Sequence, residues 1–132
     1  MFGLFKKKKT TNEPTVVCIG DSIARCAELY GEPFSRLDDG ALMFRTSSLL
    51  PGSAASVTFN EDGLVESILY AVPPGEGVSK KAALHLMERS IRNPTGKWEG
   101  GGHNTLFGNE SFYHTDGLAA EIDETSLFIR SE

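Results

Sequence analysis

The sequence predicts an α+β domain in which two helices pack on one face of an antiparallel sheet. Two segments with helical spacing, each preceded by a serine, stand among short β-branched and alternating runs. Asp-Gly and similar turn sequences separate these runs by only a few residues, which is typical of antiparallel hairpins. The 132 residues, 39% of them hydrophobic, are enough for one core without disulfides or metal.

The first half, residues 15–72, begins with a predicted helix. Residues 15–19 are a short apolar run, either a buried strand or the lead-in to that helix. Asp21 or Ser22 is a suitable N-cap, because a side-chain oxygen can accept a hydrogen bond from a free N–H of the first turn. Gly31 is suited to end the helix. The apolar residues at helical spacing, which predict the buried face, are Ile23, Cys26, Ala27 and Tyr30.

Three strands are predicted after this helix, at residues 41–46, 56–59 and 64–72. The Asp-Gly pair within residues 60–63 predicts a tight hairpin turn. The run 64–72 is the longest and is apolar on both faces, so it is expected to be a central strand. Its predicted faces hold Leu64, Ile68, Tyr70 and Val72 on one side and Val65, Leu69 and Ala71 on the other.

The second half, residues 78–132, repeats this order. Ser79 is expected to cap a helix that ends at about Arg92, because Pro94 disfavours a helical Asn93. Glycines 100–102 predict a flexible break, and residues 108–109 predict a turn. Strands are expected at 105–107, 110–114, 118–122 and 126–130, and the helix residues expected in the core are Ala83, Leu84, Met87 and Ile91.

A recurring spacing suggests that the two halves are a tandem duplication. Ser22 precedes the sequence Asp-Gly-Leu at 62–64 by forty residues, and Ser79 precedes the same sequence at 116–118 by thirty-seven. This predicts a duplicated helix-plus-meander unit with halves 15–72 and 78–132. Chance recurrence of a common turn sequence is the alternative.

Charge divides the chain into a flexible basic tail, residues 1–14, and an acidic domain, residues 15–132. Residues 10–132 hold nine basic and eighteen acidic residues, a net charge of −9. This balance argues against nucleic acid as a partner. We find no secretory signal, so the expected setting is a reducing, bacterial-type cytoplasm in which Cys18 and Cys26 are free thiols.

The tail has the composition of a weak membrane anchor, and it could hold the protein at the inner face of the membrane. Its apolar residues can enter the interface while each lysine near anionic lipid contributes about 1 kcal/mol. A merely solubilising terminus is the alternative. The residues expected to contact the membrane are Phe2, Leu4, Phe5, Lys6, Lys7, Lys8 and Lys9.

The apolar run followed by Gly20-Asp21-Ser22 resembles the nucleophile block of SGNH/GDSL-type hydrolases. The resemblance implies Ser22 as a nucleophile at a strand-to-helix turn. That family also needs Asp-x-x-His, whereas this chain has His114-Thr115-Asp116, in the wrong order and spacing. A serine without its base is a weak nucleophile, so a small serine hydrolase is the alternative function.

Residues 16–72 resemble the group of beta-lactamase inhibitor proteins and small outer-membrane-assembly lipoproteins. Ile19-Gly20-Asp21-Ser22, the helix stop at 28–33 and the strands that follow carry this resemblance. It implies short helices on an antiparallel sheet, sometimes in tandem copies, that act by protein–protein contact. The leading hypothesis is a non-enzymatic accessory or protein-binding module with an unknown protein partner and no cofactor, and its oligomeric state stays open.

Three aromatic residues are candidates for binding a partner: Trp98, Phe112 and Tyr113. Tryptophan and tyrosine are enriched among residues that dominate binding energy. Filling of the core is the alternative.

Two histidines are candidate metal ligands, His103 and His114, with Glu110 and Asp116 nearby in sequence. Imidazole and carboxylate suit zinc and similar ions. The spacing matches no metal motif, so the sequence predicts no metal cofactor.

Overall fold

The computed structural model describes residues 16–73, 75–90, 98–105, 108–115 and 117–132, with backbone alone at 101–105 and 108–110. Two helices and eight strands occupy these ranges. The helices are α1 (Ile23–Tyr30) and α2 (Lys80–Arg89), and the strands are β1 (Ser35–Arg36), β2 (Leu42–Arg45), β3 (Ala54–Phe59), β4 (Val65–Ala71), β5 (Glu99–Thr105), β6 (Gly108–Thr115), β7 (Leu118–Ile122) and β8 (Ser126–Ser131).

The eight strands form one sheet in the order β1-β2-β3-β4-β8-β7-β6-β5. Every neighbouring pair is antiparallel, which confirms the predicted α+β class with an antiparallel sheet. Each helix precedes four strands that follow one another as a meander. The two meanders join where β4 pairs with β8, so β4 is central as predicted.

The core lies on one face of this sheet. Residues paired across an antiparallel ladder project to the same side, and the buried sheet residues are paired with one another. The sheet residues are joined in one buried cluster by Cys26 of α1 and by Ala83, Leu86 and Met87 of α2. The two rows of sheet residues that face the core are Leu42, Val57, Ile68, Ile129 and Ala120, and Phe44, Ala55, Tyr70, Leu127 and Ile122.

Helix α1 has the predicted cap and the predicted end. The Ser22 hydroxyl accepts a hydrogen bond from the Arg25 N–H at 3.1 Å. Gly31 has a φ of 82°, and its N–H donates to the Ala27 carbonyl. Residues 16–18 are a buried lead-in without strand pairing. No helix within the described ranges is long and apolar enough to span a membrane.

The buried face of α1 differs from the prediction. Cys26 is fully buried, whereas Ile23 is 47% exposed, and Ala27 is also exposed. Ser22 forms an isolated bridge with Leu64, the residue that precedes β4. The first turn of α1 therefore lies next to the N-terminal end of that strand.

A β-bulge corrects the prediction for β4. The register pairs Val57 with Ile68 and Phe59 with Val65, so one extra residue, Glu66, is inserted between these pairs. The insertion turns Val65 to the core face, where it is 1% exposed. Strict alternation would place Val65 on the other face of the strand from Ile68.

The triglycine segment is not a flexible break. Gly100, Gly101 and Gly102 lie inside β5 and pair with Tyr113, Phe112 and Ser111 of β6. Likewise the predicted turn at residues 108–109 is the start of β6. At Gly100 the φ is +138°, and a Cβ there would lie 2.1 Å from the Phe112 carbonyl oxygen, so the close approach of the two backbones requires glycine.

Helix α2 begins after Ser79, whose hydroxyl accepts from the Ala82 N–H at 3.3 Å. The helix ends at Arg89, and the predicted residues Ile91 and Arg92 lie outside the described residues. Ala83 and Met87 are buried as predicted. Leu86 rather than Leu84 completes the buried set.

The spacing that suggested a duplication joins strands that are not equivalent. Gly63 lies between the third and fourth strands of the first half, whereas Gly117 lies between the second and third strands of the second half. The order of one helix and four strands nevertheless occurs in both halves.

Candidate interaction surface

The sheet face opposite the core carries an unusual share of large apolar side chains. We call the part of one register row that crosses β2, β3, β4, β8, β7 and β6 the outer row. Its members are Met43, Ser56, Leu69, Phe128, Glu121 and Phe112.

Leu69 and Phe128 lie at the centre of the outer row, on the paired strands β4 and β8. Both are half-buried, as is Met43, and Phe112 near the far end is 40% exposed. A sheet with one face in the core and one in water normally alternates apolar and polar residues. Four large apolar side chains in one six-residue row depart from that alternation.

Two further rows flank the outer row with small or polar residues. The hydroxyls of Thr58 and Ser67 are hydrogen-bonded to each other at 2.5 Å, so each already has a hydrogen-bond partner within the sheet. Ser67 and Ala71, which flank Leu69 along β4, have short side chains, whereas the arginines, the histidine and the glutamate of these rows are long. The flanking rows are Thr58, Ser67, Arg130, Ala119, His114 and Glu99 on one side, and Arg45, Ala54, Ala71 and Ser126 on the other.

The charge of these three rows is balanced. Arg45 and Arg130 stand against Glu121 and Glu99, while residues 10–132 as a whole carry a net charge of −9. Apolar residues with balanced charge are typical of surfaces that contact proteins, where methionine and aromatic residues are enriched. A polyanion such as nucleic acid would need an excess of arginine and lysine.

The three aromatic candidates do not share one surface. Phe112 lies in the outer row, whereas its neighbour Tyr113 projects to the other face and packs against the core. Trp98 also packs against the core, and its indole N–H donates to the Met87 carbonyl at 2.8 Å. Of these three residues, the structure places only Phe112 on the outer face. Sequence reasoning missed Leu69 and Phe128, because their exposure depends on which face of a central strand is covered.

Ser22 and Asp21 are engaged in local structure. The Ser22 hydroxyl accepts from the Arg25 N–H as the cap of α1. The Asp21 side chain is 5% exposed, and it accepts from the Cys18 N–H at 2.8 Å. His114 is on the outer face, and His85 is an exposed residue of α2. Ser22, the serine that the alternative prediction makes a nucleophile, lies at the start of α1 and serves as its N-cap.

The register separates the two candidate metal ligands. His103 pairs with Glu110, whereas His114 pairs with Glu99, four residues away along β5. Four residues of strand span roughly 13 Å. No group of three or more potential ligands occurs among the residues that the structure describes, which include neither Asp116 nor the side chains of His103 and Glu110.

Buried hydroxyls and thiols lie beneath the helices. The hydroxyls of Tyr30 and Tyr70 are 2.6 Å apart, and Tyr30 also accepts from the Val17 N–H at 3.2 Å. Burial raises the pKa of both tyrosines and raises the pKa of the Cys26 thiol to about 11. These groups stay neutral near pH 7, which favours a structural role over acid–base chemistry.

An open cavity of about 300 Å³ lies beside the start of α2. The Val78 N–H donates to the Glu124 carbonyl at 2.9 Å and fixes one wall. Among the described residues, the lining includes one acidic residue and no cation, which does not favour an anion. The lining residues are Gly75, Gly77, Val78, Glu124 and Thr125.

The fold and the outer face together define a class: an α+β domain with one antiparallel sheet and a half-apolar face opposite its core. No protein-family model matches the chain, and neither a curated protein nor a solved structure is significantly similar to it. The family resemblances drawn from the sequence therefore stay predictions.

Proposed function

We propose that this chain is a non-catalytic protein-binding module that contacts its partner through the outer row. One observation carries the proposal. Four large apolar residues lie half-exposed or exposed on the face of the sheet that the core does not use. Apolar patches of this kind on a folded surface mark interaction sites.

In this proposal both helices pack on the core face, which leaves the outer face to the partner. The Tyr30–Tyr70 hydroxyl contact joins α1 to β4 and supports this arrangement. Leu86 and Met87 of α2 share the buried cluster of the sheet, which supports the same side for α2.

We also propose that the sheet arose by duplication of a helix-plus-meander unit. In each half the residue before the capping serine forms a backbone hydrogen bond near the start of the last strand, although the bonded groups differ. In the first half the partner is the first residue of β4, and in the second half it lies two residues before β8. The Val65 N–H donates to the Asp21 carbonyl in the first half, and the Val78 N–H donates to the Glu124 carbonyl in the second. Duplication would give a small domain a sheet broad enough to serve as a docking face.

The chemistry of the outer row indicates the kind of partner. An apolar or aromatic anchor of the partner would cover Leu69 and Phe128, and its charged residues would meet Arg130 and Glu121. This mode matches what the resemblance to the inhibitor-protein group implies, which is action by contact. The proposal requires no cofactor, and its setting is the cytoplasm.

The test compares two matched variants in affinity capture from the native host. Leu69→Ser removes an anchor from the outer row, whereas Ile23→Ser removes an exposed apolar residue of α1. Both replace one aliphatic side chain by the same small polar one. Loss of a central anchor typically costs binding about 2 kcal/mol or more, roughly a thirtyfold change.

We expect wild type and Ile23→Ser to retain the same protein and Leu69→Ser to lose it. Thermal melts of all three proteins check that each is folded. Equal retention by both variants, or loss with Ile23→Ser alone, would contradict the proposal.

A further inference from the structure

The two edges of the sheet differ in length and in protection. Edge strand β1 has two residues, follows Pro33, and ends at Arg36. The guanidinium of Arg45 stacks over the nearby Phe34 ring at 4.7 Å. Short strands, proline and charge are devices that keep an edge from pairing with another chain.

The opposite edge, β5, lacks the short length, the proline and the basic side chains found at β1. It has seven residues, Glu-Gly-Gly-Gly-His-Asn-Thr, with no proline, lysine or arginine. All seven pair with β6, and the sheet ends there among the described residues. Its other side therefore presents a row of backbone donors and acceptors to any strand that can pair with it.

The register identifies which backbone groups face the edge. Thr105 pairs with Gly108 across a two-residue connection, and such a closing pair exchanges its hydrogen bonds within the hairpin. Bonding alternates along an antiparallel ladder, so every second residue of β5 directs its N–H and C=O away from β6. These residues are Gly100, Gly102 and Asn104.

We propose that β5 pairs antiparallel with β5 of a second copy of this chain, about a two-fold axis at Gly102. In this register Gly102 faces itself, and Gly100 faces Asn104 of the second copy. Each outward-facing residue therefore meets another outward-facing residue, which allows six backbone hydrogen bonds and joins two eight-stranded sheets into one.

The charges of β5 permit this pairing between two acidic proteins. Glu99 is its only acidic residue and faces Thr105 of the second copy. The two Glu99 residues stand six residues apart along the ladder, roughly 20 Å. This exceeds the Debye length of about 8 Å at physiological salt. No like charges oppose each other in this register.

Sedimentation at increasing concentration, with full-length protein, tests the pairing. Asn104→Pro removes an outward N–H, whereas Asn104→Ala removes the side chain and keeps that N–H. We expect a reversible monomer–dimer equilibrium for wild type and Asn104→Ala, and a dissociation constant at least tenfold higher for Asn104→Pro. A wild-type monomer at every concentration, or an equal shift in both variants, would overturn the proposal.

A cysteine pair tests the register itself and does not depend on the proline variant. Hydrogen-bonded residues have Cα atoms about 5.5 Å apart, within disulfide range. Gly102→Cys should therefore form a covalent dimer on mild oxidation. Asn104→Cys places its two thiols roughly 14 Å apart and should not.

The native Cys18 and Cys26 are 7% and 0% exposed. Oxidation of the wild-type chain measures how much crosslinking these two native cysteines contribute. Equal crosslinking by the two cysteine variants would contradict the two-fold axis at Gly102. The outer row takes no part in these measurements, so dimerisation and partner binding can fail independently.

Discussion

A pair of tyrosine hydroxyls joins α1 to the centre of the sheet. Tyr30 contacts both the Tyr70 hydroxyl and the Val17 N–H, so one side chain joins the lead-in, the helix and β4. Tyr70 is fully buried, and the contact with Tyr30 is the hydrogen bond that the structure gives its hydroxyl. A buried polar group left without a partner costs about 1–3 kcal/mol.

We predict that Tyr30→Phe lowers the free energy of unfolding by about 1–3 kcal/mol and Tyr70→Phe by less. The smaller effect follows because Tyr30 keeps its contact with Val17 when the Tyr70 hydroxyl is lost. The double variant should lose less than the sum of the two single losses, since the hydroxyls are coupled. Urea denaturation of the four proteins measures this, and strict additivity would show that the pair does not act as a unit.

The buried acids also predict a stability that falls at alkaline pH. The unfolded chain ionises the Cys26 thiol near pH 9, whereas the folded chain holds its pKa at about 11. The folded state then binds more protons than the unfolded state, so its stability is intact below pH 9 and declines as pH rises through 11. The raised pKa values of Tyr30 and Tyr70 act in the same direction.

Thermal melts from pH 8 to pH 11 measure this decline. Cys26→Ala removes one of the ionising groups and should make the slope shallower by up to about 1.4 kcal/mol per pH unit. An identical slope in wild type and variant would exclude Cys26 as a source of the pH dependence.

The capping serines predict a further effect of single residues. Ser22→Ala removes the acceptor for the Arg25 N–H and should cost about 0.5–2 kcal/mol, and Ser79→Ala should cost a similar amount at α2. Unfolding curves compare the two. The same Ser22 variant tests the hydrolase alternative, because ester turnover that disappears with Ser22→Ala would overturn the non-catalytic proposal.

At the scale of elements, local sequence signals fixed some boundaries closely. The strand predicted at 118–122 is β7 as observed, Ser79 caps α2 as predicted, and Ser22, one of the two caps predicted for α1, is the one observed. These elements depend on alternation and on side-chain oxygens that bond to backbone groups nearby. Such interactions lie within a few residues of the chain, so the sequence is sufficient to locate them.

Other elements depend on partners far along the chain, and the sequence did not locate them. The glycines at 100–102 are in a strand because β6 pairs with them, although glycine has low strand propensity. The bulge at Glu66 reversed the predicted face of Val65, since a local pattern does not reveal an inserted residue. The outer row was also missed, because exposure of Leu69 and Phe128 is set by the whole sheet.

Gly100 offers a test of how β5 is held. Gly100→Ala would place a Cβ 2.1 Å from the Phe112 carbonyl oxygen, so we expect a marked loss of stability and displacement of β5. Gly63→Ala is the matched control, because Gly63 has a positive φ of 78° but open space around it. Melting temperatures separate the two costs. Equal destabilisation would mean that backbone strain alone, without the clash, accounts for the effect at Gly100.

At the scale of the whole molecule, the basic tail and the acidic domain are expected to act separately. Deletion of residues 1–12 should leave the melting temperature nearly unchanged, because four adjacent lysines repel each other and three apolar residues build no core. If the tail is a membrane anchor, the full-length protein should sediment with anionic vesicles, and the truncated protein should not. Added salt should release the protein by screening the lysines. Equal sedimentation of both proteins would exclude the tail as the anchor.

The central claim is that the outer row contacts a partner protein, and site-specific photocrosslinking in the native host tests it most directly. Ser56 lies in the outer row opposite Leu69, on β3, which is separated from the β5–β6 hairpin by three other strands. Ile23 is exposed on α1. With a photoreactive residue at each position in turn, we expect an adduct with one defined protein other than this chain from position 56 and none from position 23. An adduct from position 23 alone, or from neither position, would contradict the claim.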